Sequence, residues 1–237
     1  MGRAFEKRKH KIFANNAKNA RAYTRIGKEI AIAVKLGGNN VEGNPRLRMV
    51  IQNAKAVNMP KDRVEAAINR AAAKDAKDLD EVVFEGYGPH GIAVVVETAT
   101  DNNTRTVANI RMYFNRCDGA LGKTGSLEFL FNRMGIFTID KGGRSTEDLE
   151  LELIDCGADE IEEHENEIYA YTPFTNFGPM QKALEENKLT IISDDLDRIP
   201  ATLVGLTEEQ KAGVQKLLDR LEEDDDVQNV FHNMKED

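Results

Sequence analysis

The charge on this chain is split in two, a strongly basic module joined to a strongly acidic body. Residues 1–77 hold 18 Lys+Arg against 6 Asp+Glu, a net of +12. Residues 78–237 hold the remaining 14 Lys+Arg against 35 Asp+Glu, a net of −21, and the two give the overall −9. A basic module of this density attracts polyanions, and nucleic acid is the commonest polyanion in a cell. The acidic remainder is expected to repel the same ligand and so to help fix which end binds. With 237 residues and 41% apolar side chains, two or three packed domains are expected.

Apolar spacing predicts a long first helix over 12–36. Tyr23, Ile26, Ile30 and Val34 recur at intervals of three and four and make the buried stripe. Lys18, Arg21, Arg25, Lys28 and Lys35 fall within about a 100° arc on the opposite side. Only Glu29 offers this stretch a carboxylate, whereas a merely solvated face gains from alternating signs. Gly37 and Gly38 end the helix. Asn44 is a natural cap and Pro45 a natural first residue for a second helix over about 46–57, with Arg46, Arg48 and Lys55 outward. Asn58-Met59-Pro60 separates it from a third helix over 61–73, which carries Lys61, Arg63 and Arg70. Asp62 and Glu65 near the start of that helix argue against base reading by it, and few aromatic rings are present for base stacking. The eleven cations named here are the candidate nucleic-acid contacts, directed at the phosphate backbone.

Residues 74–81 read as a polar hinge, and 85–91, dense in turn formers, as a loop presenting Tyr87. Beyond it the pattern turns to strands. A β-α-β stretch is expected over 91–131, with strands at 91–98 and 126–131 around a helix over 104–116. Residues 135–193 read as β-α-β-β-α-β. Then come a strand at 201–205, a helix over 208–221 and a strand at 227–231. The expected architecture is α+β: an N-terminal three-helix domain (1–77) and two ferredoxin-like βαββαβ domains. The third domain (133–199) is inserted in a discontinuous second (78–132 and 200–237).

Little in the chain suggests catalysis. Gly122-Lys123-Thr124 resembles half a phosphate loop, but Cys117 stands where its first glycine belongs. The four histidines are scattered, without metal-ligand spacing, and no cofactor is expected. Two acidic runs, 194–197 and 222–226, lack EF-hand spacing. Cys117 and Cys156 suit reduced thiols, and no apolar run approaches the ~18–20 residues of a membrane span. A cytoplasmic protein without membrane contact is expected, with a monomer slightly favoured.

Several motifs carry a family resemblance. Leu36-Gly37-Gly38, Asn44-Pro45-Arg46-Leu47-Arg48 and Asn58-Met59-Pro60-Lys61-Asp62 closely resemble the first domain of the YebC/PmpR family. Phe84-Glu85-Gly86-Tyr87-Gly88-Pro89, Thr100-Asp101-Asn102 with Arg105-Thr106-Val107, and Gly125-Ser126 before Phe129 and Phe131 resemble its second-domain signatures. The start, Gly2-Arg3-Ala4-Phe5-Glu6, departs from the Gly-His-Ser-Lys-Trp of most members. The resemblance implies a non-enzymatic, three-domain regulator of gene expression. It implies promoter-DNA binding in transcriptional control or, as for a mitochondrial relative, binding to ribosomal RNA to assist ribosomes through proline runs.

Overall fold

The structure, a computed structural model, describes residues 21–76, 78–164 and 166–235. It is an α+β protein with N-terminal helices and two β-sheets. The chain divides into two compact units, Met1–Leu79 and Asp80–Asp237.

The first unit is helical. Helix α1 runs over 21–37 within the described residues, α2 over Pro45–Ala56 and α3 over Lys61–Ala71. Its core joins Ile26, Ile30, Ala33 and Val34 of α1 to Leu47, Val50 and Ala54 of α2 and Val64 of α3. The apolar stripe expected on α1 is thus the one that is buried. Tyr23 at its edge is half-buried and donates from its hydroxyl to the Asn58 carbonyl at 2.9 Å, tying α1 to the break between α2 and α3.

The second unit holds both sheets. Strands β1 (Asp80–Tyr87), β2 (Ala93–Thr100), β3 (Ala120–Leu121) and β8 (Val227–His232) form one sheet in the order β3-β1-β2-β8. Helices α4 (Asn103–Arg116) and α7 (Glu208–Glu222) cover one face. There Val94, Val96, Ile110, Phe114, Leu217 and Leu221 pack as one cluster. Strands β4 (Phe131–Asp140), β5 (Glu160–His164), β6 (Glu167–Pro173) and β7 (Ile191–Pro200) form the other sheet, order β5-β6-β4-β7, every pairing antiparallel. Helices α5 (Thr146–Asp155) and α6 (Phe177–Glu186) complete its core of Phe137, Ile139, Leu149, Leu153, Ile168, Met180 and Leu184. Arg198 of β7 donates from Nε to Glu97 of β2 at 2.8 Å with both side chains largely covered, linking the two sheets.

The first sheet departs from the expected βαββαβ order. Its elements run β-β-α-β before the second sheet and α-β after it. Residues 80–81, expected as hinge, and 85–87, expected as loop, belong with 82–84 to the full strand β1, paired residue for residue with β2 from Asp80↔Thr100 to Tyr87↔Ala93. Acidic residues and glycines lower the intrinsic strand preference of this stretch, but Phe84 enters the helix-covered core and long-range pairing outweighs propensity. Residues 126–131, expected as a strand, instead turn through a short 3-10 segment at Glu128–Leu130. Buried Glu85 takes the amides at the start of this turn, accepting from Gly125 N at 2.9 Å and Leu127 N at 2.6 Å. Residues 201–205 contribute one isolated bridge, Val204↔Met234, and no strand.

Candidate nucleic-acid interface

Helix α1 sets the candidate surface because its two sides differ in chemistry. At 100° per residue, Ile26, Ile30 and Val34 point into the core, and Arg21, Arg25, Lys28 and Lys35 cluster on the other side. Arg21 and Lys35 are exposed; Arg25 and Lys28 are half-buried. Glu29 is the only carboxylate on the described part of this helix. Lys35 forms a 2.7 Å pair with Asp78, but both side chains are largely in water, where such a pair is worth little. Lys18 lies outside the described residues.

The other sequence candidates divide into groups. Arg48, expected outward, is half-buried and donates from Nη1 to the Glu42 carbonyl at 2.6 Å and the Val41 carbonyl at 3.3 Å. It braces the loop between α1 and α2. Arg46 is also half-buried, whereas Lys55 is exposed in the last turn of α2. Arg63 lies 5.6 Å over the ring of Tyr23, on the side of α1 away from the cationic arc. Lys61 pairs with Glu65 at 3.6 Å, and Arg70 is exposed in the last turn of α3. The fold therefore gathers Arg21, Arg25, Lys28 and Lys35 and does not bring Arg63 to them.

Asn44, 3% exposed, holds the end of that surface in place. Its Oδ1 accepts from Leu47 N at 3.0 Å and caps α2. Its Nδ2 donates to the carbonyls of Ala33, in the last turns of α1, at 2.7 Å and of Gly38, just beyond it, at 2.8 Å. Gly37 must be glycine, since a Cβ there would meet the Asn44 carboxamide at 2.7 Å. The sequence identified Asn44 as a cap. Its second role, across eleven residues to Ala33, has no local signal.

In the second unit the resemblance motifs meet as structural networks. Asp226, buried in the turn before β8, accepts from Arg105 at 2.7 Å, Thr106 at 2.9 Å and Thr100 at 3.2 Å. Hydrogen bonds to Asp226 and Asp101 hold the Arg105 guanidinium charged, raising its pKa further. Burial, then the bond to Asp224, pushes the Tyr113 phenol up to about 12, so it stays protonated near neutrality and donates to Asp224 at 3.0 Å. Among the described residues no group of three or more His, Cys, Asp and Glu is placed to hold a metal ion, and no helix is long and apolar enough to cross a membrane.

Comparison with known proteins covers nearly the whole chain. Residues 3–74 match the model of the TACO1/YebC N-terminal domain, and residues 79–234 that of the TACO1/YebC second and third domain. A probable transcriptional regulatory protein of Cytophaga hutchinsonii is 59% identical over 236 residues, covering 100% of this chain and 99% of the relative. One of Flavobacterium johnsoniae is 55% identical over 237 residues, covering all of both. The crystal structure of a conserved hypothetical protein from Aquifex aeolicus superposes with a TM-score of 0.80 at 35% identity, over 93% of this chain and 92% of that one.

Proposed function

Because this chain belongs to the TACO1/YebC family, we propose that it is a non-enzymatic, nucleic-acid-binding regulator of gene expression that acts on promoter DNA as a transcriptional regulator. The observation that supports binding is the arc of Arg21, Arg25, Lys28 and Lys35 on α1, opposite the stripe that enters the core. A cluster of cations on one side of a helix attracts a phosphate backbone and releases its condensed counterions. The names of the Cytophaga and Flavobacterium relatives support the transcriptional reading.

The surface holds phosphates rather than reading bases through a recognition helix. Asp62 and Glu65 are exposed at the start of α3, where a groove-reading helix would approach the backbone. Arg63 is engaged with Tyr23. This chemistry also suits the backbone of ribosomal RNA, so a ribosome-associated translation factor is the second reading.

Binding of the full chain to promoter-region duplex DNA and to ribosomal RNA is measured across salt concentration. The proposal requires affinity that falls linearly on a log–log plot and that collapses in the Arg21→Glu, Arg25→Glu, Lys28→Glu triple variant. Full affinity in that variant rejects the surface. A protected promoter sequence supports the transcriptional reading; RNase-sensitive sedimentation with ribosomes and no preferred DNA sequence supports the translational one.

A further inference from the structure

Helix α1 ends in an apolar side chain that the fold leaves outside. Leu36 is 70% exposed. Eleven residues separate it from Arg25, which returns it to within about 20° of the same direction, about 16 Å further along the axis. Leu36 therefore stands at the edge of the arc of Arg21, Arg25, Lys28 and Lys35, not in the stripe of Ile26, Ile30 and Val34 that enters the core, and unlike Ile32 one turn before it, it is not buried. A scattered exposed leucine is ordinary. This one adjoins a loop whose form is fixed from within.

Three features fix that loop. Asn44 binds the Ala33 and Gly38 carbonyls, and Arg48 holds the Val41 and Glu42 carbonyls. Gly38, at φ 78°, takes the left-handed turn that ends α1, its N–H donating to the Val34 carbonyl at 2.8 Å. The buried polar groups thus face inward and hold the loop, while Leu36, Asn39, Asn40 and the partly exposed Val41 face outward. A rigid projection loses little conformational freedom on binding.

We propose that Leu36 and the loop after it form a base-contacting wedge. Lys35, Lys28 and Arg25 hold phosphates, Leu36 enters an unstacked base step, and the Asn39 carboxamide bonds a base edge beside it. Apolar wedges flanked by cations open base steps in this way. The Lys35–Asp78 pair is exposed enough for a phosphate to replace the carboxylate. The proposal rests on the nucleic-acid reading above and adds a contact to bases, which cations alone do not supply.

The test uses the full chain, a short stem-loop RNA and a duplex DNA of matching sequence, each carrying a fluorescent adenine analogue that brightens when unstacked. On the probe that it binds, the wild-type chain brightens the analogue. Leu36→Ser abolishes the brightening and weakens binding roughly tenfold, the order expected when one leucine side chain no longer leaves water. The slope of log affinity against log salt stays unchanged, because no phosphate contact is lost. Leu36→Phe keeps both binding and brightening. Thermal unfolding is the same in all three, since Leu36 is outside the core. Wild-type affinity and brightening in Leu36→Ser overturn the wedge, as does a loss accompanied by a changed salt slope. Failure of the wild-type chain to bind either probe at low salt removes the nucleic-acid reading itself.

Discussion

Arg105 at the start of α4 donates from Nη2 to Oδ2 of Asp226 at 2.7 Å, across 121 residues of chain. The whole second sheet lies between these two residues in sequence. Their contact, with the hydroxyls of Thr100 and Thr106 on the same carboxylate oxygen, closes the first sheet around that excursion. Thr100 and Thr106 are fully buried, and the Thr106 hydroxyl also lies within hydrogen-bond distance of the Asn102 carbonyl at 3.1 Å.

Replacing Asp226 by alanine therefore removes an acceptor shared by an arginine and two core hydroxyls, leaving Arg105 its bond to Asp101. We expect Asp226→Ala to destabilise the second unit by about 2–4 kcal/mol, read as a lower urea midpoint. Asp226→Asn, which keeps an acceptor oxygen, loses less.

Asn44→Ala removes the cap of α2 and leaves the Ala33 carbonyl without this donor. Losing a cap typically costs ~1 kcal/mol, and a buried unsatisfied group adds about as much. The expected loss is about 2 kcal/mol, with faster amide exchange at the start of α2 and the end of α1. Unchanged exchange there would show that the loop is held by other means.

Gly86 on β1 faces the Ala120 carbonyl oxygen and the Phe114 ring, which an added Cβ would meet at 2.6 and 2.8 Å. Neither neighbour is the far end of a flexible chain. Gly86→Ala should lower stability by roughly 1–3 kcal/mol, and the thermal midpoint of the purified variant measures it.

Asp194 on β7 is fully buried and accepts from Gln181 Nε2 at 2.6 Å. Burial is the main cause of its rise to about 6, only partly offset by Gln181. A carboxyl raised in the folded state stabilises that state at low pH, fully so below its unfolded value near 4. This contribution is lost as pH rises through about 6. The full chain should therefore lose stability between roughly pH 4 and 6 through this group. Asp194→Asn should flatten that part of the profile and raise stability at neutral pH by at most about 3 kcal/mol. Parallel urea titrations across pH test this; an identical profile in the variant rejects the assignment.

Much of the local structure was legible in the sequence. Asn44 with Pro45 begins α2, the Asn44 side chain accepting from the amide three residues on. These are short-range signals, carried by residue type and by apolar spacing of three and four. The β-α-β-β-α-β order of the second sheet followed from alternation and turn residues in the same way. Strand β1 was not legible, because glycines and carboxylates disguised it and only pairing with β2 supplies its ladder. Residues 126–131 misled in the opposite sense: an apolar run suggested a strand, but Glu85 had already claimed the amides at Gly125 and Leu127.

The candidate surface divides the same way. The cationic arc of α1 is set by a fixed 100° per residue, so the sequence alone determined that Arg21, Arg25, Lys28 and Lys35 share a side opposite the apolar stripe; that Ile32, in the middle of this arc, is buried was decided by the fold. What became of the other cations depended on contacts between elements. Tertiary structure placed Arg63 on Tyr23 and turned Arg48 onto the carbonyls of its own loop. It also left Leu36 outside at the end of the arc. The physical reason is range: helical periodicity and capping are encoded within about one turn of chain, whereas a hydrogen bond or ring contact between elements exists only once the core has brought them together.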